Sequence, residues 1–138
     1  PIYRREGVRL RSRCQKGTCL LEPDLFRSLI INIIDNARKS ISQQGLIIIT
    51  SKMLSDGCQI QIRDNGKGIP AESLKHLTEE FYRVDKSRSR VLGGAGLGLS
   101  LCARIVRLHG GDLSFESFPG QGTAVTILLK GGAHEIKD

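Results

Sequence analysis

Apolar residues recur at every second position in some stretches of this chain and at every third or fourth in others, so the pattern alone assigns most of its elements. The opening stretches "GVRLRSRC" and "TCLLE" alternate weakly and predict a short hairpin. From Asp24 to about Ile41 the period lengthens, and Phe26, Ile30, Ile33, Ile34, Ala37 and Ile41 fall on one side of a helix that Gly45 ends. "LIIITSKM" and "CQIQIRD" predict two strands joined around Ser55-Asp56-Gly57. "PAESLKHL" predicts a short helix with Pro70 near its first turn. Leu99 to His109 predicts a third helix, stopped by Gly110-Gly111 as a C-cap. "DLSFESF" and "TAVTILL" then form two strands around Pro119-Gly120-Gln121-Gly122, and residues 131–138 read as a frayed tail.

Strands joined by short loops pair antiparallel, and helices set between hairpins cover one face of the resulting sheet. The expected class is α+β, an α/β sandwich in a single domain of 138 residues with a core over about residues 8–129. Residues 80–97 interrupt this order with a polar, basic, Gly-rich segment of little periodicity, which in a small domain marks a lid or binding loop.

Composition narrows the classes. No apolar run is long enough to cross a membrane and no signal-peptide pattern is present, so membrane contact by this piece is not expected. The chain opens on Pro1, and we expect it to be excised from a longer, cytoplasmic-facing protein whose membrane anchor, if it has one, lies outside it. The formal charge of +7 gathers at Arg4, Arg5, Arg9, Arg11, Arg13 and Lys16 and again at Arg83, Lys86, Arg88 and Arg90. Such clusters attract the phosphates of nucleic acid or nucleotide. With only six aromatic residues to stack on bases, a nucleic-acid-binding module is the weaker reading. Cys14, Cys19, Cys58 and Cys102 contain no C-x-x-C pair and are read as reduced thiols, a Cys14–Cys19 disulfide being the alternative.

Three constellations carry candidate chemistry. In "CQIQIRDNGKGIP" the alternation of Cys58, Ile60 and Ile62 continues onto Asp64, placing a carboxylate on the inward side at the strand's end. An aspartate there can form a turn. Beside Gly66 and Gly68, which permit close approach of a ligand, it can equally form the floor of a pocket that needs a donor such as a purine amine. Second, Gly94, Gly96 and Gly98 lead into a helix N-terminus, whose free amides and dipole favour an anion. Third, Asn32, Asp35, Asn36 and Lys39 form a polar stripe opposite the first helix's apolar side. Asparagine oxygens suit a hard cation such as nucleotide-bound Mg²⁺, which needs few protein ligands, although a solvated face would also explain the stripe.

Taken in order, "NIIDNARKS", "DNGKGIP", "FYRVDKSRS" and "GGAGLGL…HGG" resemble the N, G1, F and G2 boxes of the ATP-binding catalytic domain of sensor histidine kinases. The resemblance implies the Bergerat fold, a mixed, mostly antiparallel sheet of about five strands backed by three helices. It implies that Asp64 accepts from the adenine amine, with Gly66, Gly68 and Ile69 shaping the base pocket and Thr123 assisting through water. Asn36 would ligate Mg²⁺, Asn32 would lie beside the phosphates and Lys39 would contact them. Arg83 and Arg88 would reach the terminal phosphate, with Tyr82 near the nucleotide, and the backbone from Gly94 through Gly96, Leu97 and Gly98 to Leu99 would cradle the phosphates.

Two residues depart from the family pattern: Ser40 stands where an aromatic commonly packs on adenine, and Leu77 where the F box usually has an earlier aromatic. Related ATPases carry a glutamate at the Asn32 position to activate water, a task asparagine cannot perform. The resemblance therefore implies slow hydrolysis and phosphoryl transfer, with Asn32, Lys39 and Arg83 as the catalytic set. None of His76, His109 and His134 sits in a phosphoacceptor motif, and each reads as a surface or capping residue. The implied partners are a histidine-containing dimerisation domain of the same kinase and a downstream response regulator, with this piece monomeric. The same fold also hosts serine kinases, slow ATPases and degenerate nucleotide sensors.

Overall fold

The computed structural model describes residues 7–15, 21–41, 44–70, 73 and 98–130. Within them lie five strands and two helices: β1 (Val8–Cys14), α1 (Pro23–Ser40), β2 (Gly45–Leu54), β3 (Gly57–Asp64), α2 (Gly98–Leu108), β4 (Asp112–Phe118) and β5 (Gly122–Lys130). The sheet runs β1-β2-β3-β5-β4, antiparallel except for the parallel β1–β2 pair. This is the mixed sheet expected, and the two helices lie against one side of it. Of the predicted helix that starts at Pro70 only Pro70 and Ser73 are described, and the segment 80–97 lies outside the described residues.

Side-chain alternation sorts the strands' two faces. Ile47, Cys58, Ile62, Val125, Ile127 and Leu129 are buried beneath Leu29, Ile33, Ile34 and Ala37 of α1 and Cys102, Ile105 and Val106 of α2. Each such aliphatic side chain contributes about 1.5–3 kcal/mol by leaving water. The opposite face carries Arg9, Arg11 and Arg13 on β1 and Arg63 on β3, all exposed. Cys14, Cys58 and Cys102 are not joined in disulfides, and burial pushes the Cys102 thiol up to about 12.

Three sequence expectations change. The opening hairpin is not found among the described residues: β1 pairs in parallel with β2, in register from Val8↔Gly45 to Cys14↔Ser51, across the long crossover that α1 supplies. Leu21 and Glu22 are not strand, and Thr18, Cys19 and Leu20 lie outside the described residues. Glu22 is the N-cap of α1, its carboxylate accepting from the Leu25 amide at 2.6 Å, and Pro23 occupies the first turn, where its missing N–H costs nothing. Gly45 does not end the helix. Ile41 turns extended after Ser40, and Gly45 opens β2, wedged against Ile41 and Asn65. Leu29, absent from the predicted apolar stripe, is fully buried because the sheet and α2 together enclose a wider sector of α1 than one row of side chains.

The third helix ends as predicted. Gly111 N–H donates to Val106 O at 3.0 Å and Gly110 N–H to Arg107 O at 2.9 Å, the paired bonds of a Schellman cap. Its last side chain is not a surface residue. His109 is 9% exposed, stands edge-on to Phe26 at 6.3 Å and lies with Nδ1 2.8 Å from Ile105 O and Nε2 3.2 Å from Glu22 N. A carbonyl only accepts and an amide only donates, so the ring is neutral with its proton on Nδ1. It ties the end of α2 to the start of α1. Replacing His109 by Ala strands the Glu22 amide and opens the space under Phe26, and should cost about 2 kcal/mol. Urea unfolding measures this; a loss below about 0.5 kcal/mol, the size of an ordinary surface change, would show that the bridge adds nothing.

Candidate functional site

Asp64 is the last residue of β3, paired between Ile47 of β2 and Thr123 of β5. It continues the inward face and is half-buried, as the alternation required. Its Oδ1 accepts from the Gly66 amide at 2.8 Å and from Ser40 Oγ at 3.2 Å, while the Thr123 amide faces the same carboxylate. The Gly66 bond is a turn closed by an aspartate on the amide two residues on. The turn role and the pocket role thus coexist: Oδ1 builds the turn, and no described side chain donates to Oδ2. Burial raises the Asp64 carboxyl above the ordinary carboxylate range, against the opposing pull of the Gly66 amide, the Ser40 hydroxyl and the Thr123 amide.

The glycine loop after Asp64 is clamped from both sides. Lys67 N–H donates to Ser40 O at the end of α1 (3.1 Å), and Gly120 N–H in the β4–β5 turn donates to Lys67 O (2.6 Å). Ile69 N–H donates to Ser117 Oγ of β4 at 2.6 Å. Gly68 has φ +78°, and a Cβ there would lie 2.6 Å from Phe118 O, so both conformation and space demand glycine. Asn65 anchors the loop to β2, its Oδ1 accepting from Leu46 N–H at 2.8 Å. Thr123 is buried with Oγ1 3.0 Å from Ser117 Oγ.

Along α1, the polar stripe is ordered by its own helix. Asn32 Nδ2 donates to Ser28 O at 2.8 Å, and Asn36 Nδ2 donates to Asn32 O at 2.9 Å. With its amide nitrogen engaged on the backbone, exposed Asn36 keeps its side-chain oxygen as an acceptor. Lys39 is not a loose cation: Nζ lies 3.0 Å from Asp35 Oδ2, and Arg38 holds Asp35 Oδ1 at 2.9 Å. Burial would raise the Asp35 carboxyl, but the hydrogen bonds and charges of Arg38 and Lys39 outweigh it and hold it below the ordinary range.

Helix α2 begins at Gly98 and carries no acidic side chain in its first turn, where the helix dipole is positive. Leu99 is partly buried against the core. Tyr82, Arg83, Arg88, Gly94, Gly96 and Leu97 lie outside the described residues. The structure therefore gathers Asp64, Gly66, Gly68, Ile69 and Thr123 around one strand end, with Asn32, Asn36 and Lys39 on the helix that Ser40 joins to it. Sequence reasoning missed Ser40 and Ser117 as members of this cluster. Ser40 was visible only as a departure, and Ser117 as one polar residue on the inward side of "DLSFESF".

The fold and strand-end carboxylate define an ATP-binding domain of the Bergerat kind, and comparison with known proteins agrees. The family model described as histidine kinase-, DNA gyrase B- and HSP90-like ATPase matches residues 21–132, and the chain belongs to that family. Within it, its place is with the catalytic domains of sensor histidine kinases. The chain is 39% identical over 109 residues to the signal transduction histidine-protein kinase ArlS of Staphylococcus aureus, covering 79% of this chain and 24% of that protein. It is 36% identical over 111 residues to the sensor histidine kinase WalK of Bacillus subtilis, covering 79% and 18%. Among solved structures, the mycobacterial sensor histidine kinase MprB superposes with a TM-score of 0.81 at 26% identity, covering 94% of this chain and 88% of that one. The chain thus spans only a quarter or less of the length of these curated relatives.

Proposed function

We propose that this domain binds Mg-ATP and donates the γ-phosphoryl group to a histidine on a separate dimerisation domain of the same kinase, from which a response regulator takes it. The observation that carries this reading is the half-buried Asp64 carboxylate, fixed through Oδ1 by Ser40 and Gly66 and left with acceptor capacity at Oδ2. The adenine amine is a donor of the matching kind. Gly66, Gly68 and Ile69 line the base side, and Thr123 lies opposite Asp64 in the strand register.

Asn32, Asn36 and Lys39 lie on the phosphate side, with the α2 amides from Gly98 and Leu99 and the preceding Gly94, Gly96 and Leu97 as the cradle. Arg83, Arg88 and Tyr82 complete the proposed set. No group of three or more His, Cys, Asp or Glu able to hold a metal alone occurs among the described residues. That suits Mg²⁺ carried by the nucleotide, with Asn36 as the protein ligand. The ion would neutralise the charge of the transferring phosphates. Lys39 must exchange Asp35 for phosphate as nucleotide arrives. Asn32 has no titratable group and its amide is spent on Ser28, so water activation has no base there and transfer outruns hydrolysis.

His109, with both ring nitrogens engaged inside the fold, is not the acceptor. No helix among the described residues is long and apolar enough to cross a membrane. Titration with ATP and GTP in Mg²⁺ should show ATP favoured by at least about tenfold, since guanine turns a carbonyl toward Asp64. A supplied histidine domain should then become phosphorylated while free ATP turns over well below about 1 s⁻¹. Hydrolysis at or above that rate without transfer would favour an ATPase instead.

A further inference from the structure

Ser117 projects from β4 into the base side of the site and has no role in the reading above. Its Oγ lies 2.6 Å from Ile69 N, 3.0 Å from Thr123 Oγ1 and 3.1 Å from Gly122 O. Proton counting limits what these contacts can be. The Ile69 amide can only donate and the Gly122 carbonyl can only accept, while each hydroxyl has a single proton. Two arrangements satisfy the group. In one, Ser117 donates to Gly122 O and Thr123 donates to Ser117, so that Thr123 offers a ligand only lone pairs. In the other, Ser117 donates to Thr123, and the Thr123 proton is released outward. The two differ by rotation of O–H bonds, with no heavy atom displaced, because the Ile69 bond holds the Ser117 oxygen in place.

Adenine's edge sets N6, a donor, beside N1, an acceptor. A site that reads both needs an acceptor next to a donor. Asp64 supplies the acceptor, and Thr123, paired directly opposite it, supplies a donor only in the second arrangement. We propose that Ser117 is a positioning residue for base recognition: by turning its hydroxyl proton from Gly122 to Thr123 it releases the Thr123 proton to adenine N1, directly or through one water. This rests on the reading that Asp64 takes the N6 amine.

The test is a cycle between a protein change and a ligand change, by calorimetry on the 138-residue chain with Mg²⁺. The ligands are ATP and its 1-deaza analogue, in which N1 is a C–H. Wild type should bind the analogue about five- to tenfold more weakly than ATP, the worth of one hydrogen bond. Ser117→Ala removes the acceptor that competes with N1 for the Thr123 proton, so it should distinguish the two ligands by at least about threefold more than wild type does. Ser117→Thr, which keeps the hydroxyl, should return the ratio to the wild-type value. A general loosening of the pocket would weaken both ligands in proportion and leave the ratio at the wild-type value. That result, or a wild type indifferent to N1, overturns the proposal. Should Ser117→Ala not fold, Ser117→Cys, close in size and weak as both donor and acceptor, carries the same two outcomes. Asp64→Asn run in parallel separates the levels: if it leaves ATP binding intact, the adenine reading itself fails, whereas a normal Asp64 effect with no Ser117 coupling removes only this proposal.

Discussion

Asp64→Asn should weaken ATP binding by about 30- to 100-fold while leaving the nucleotide-free domain at least as stable at neutral pH. The Gly66 amide and Ser40 hydroxyl both donate to Oδ1, so an asparagine would orient its carbonyl there and place its NH₂ where Oδ2 stands. Donor then faces the donor on N6. Losing a charge-assisted bond and leaving an amine unpaired costs roughly 2–3 kcal/mol, which sets the fold-change. Stability moves the other way. Burial raises the Asp64 carboxyl in the fold, so as pH climbs from the ordinary carboxylate range toward the folded value the unfolded chain loses its proton first. Unfolding is favoured across that window, and the cost persists at higher pH. Asparagine cannot ionise and escapes it. Calorimetry with Mg-ATP at pH 7, with urea unfolding of both proteins from pH 4 to 7, checks both halves. Undiminished ATP affinity would remove the adenine assignment, and a stability gap that shrinks toward neutral pH would contradict the buried carboxylate.

The two halves of this result explain why so much of the site was legible beforehand. A group that costs stability stands out against a pattern built for stability: Asp64 interrupts an apolar alternation, and glycines follow it. Strand alternation also placed β3 and β4, because each sets polar residues opposite a core face, whereas β5, central in the sheet, is largely buried on both faces. What the pattern missed had no such contrast. The pairing of β1 with β2 depends on a partner far along the chain, across the α1 crossover, which local alternation cannot reveal. His109 was hidden because its partners, Glu22 and Phe26, belong to another helix. Ser40 and Ser117 are small polar residues of no distinctive spacing, and only the fold reveals that both touch the loop after Asp64. Lys39 illustrates a different gap. Its position on the stripe was readable, but its competition between Asp35 and a phosphate was not, since a helical i, i+4 pair is the usual fate of such a lysine.

Gly122→Ala should be the most damaging single-methyl change near the site. Gly122 opens β5 at φ +131°, a region L side chains rarely adopt, and an added Cβ would run into the carbonyl of Asp64 itself. A backbone atom cannot swing aside as a side chain would, so relief requires β3 and β5 to part where Asp64 pairs with Thr123. The same movement withdraws the Gly122 carbonyl from Ser117. We expect a loss of about 2–4 kcal/mol in unfolding free energy, a large part of a small domain's margin, with ATP binding reduced by more than about tenfold under conditions where the fold persists. Gly120→Ala is the matched control. It also has a positive φ, +83°, but a Cβ there meets nothing within 4 Å, so only conformational strain of about 1–2 kcal/mol is added and the carboxylate is undisturbed. Denaturant titration and ATP calorimetry on the two variants separate strain from collision. If Gly122→Ala matched Gly120→Ala in both measurements, the close approach of β5 to Asp64 would not be what holds the base side of the site in shape.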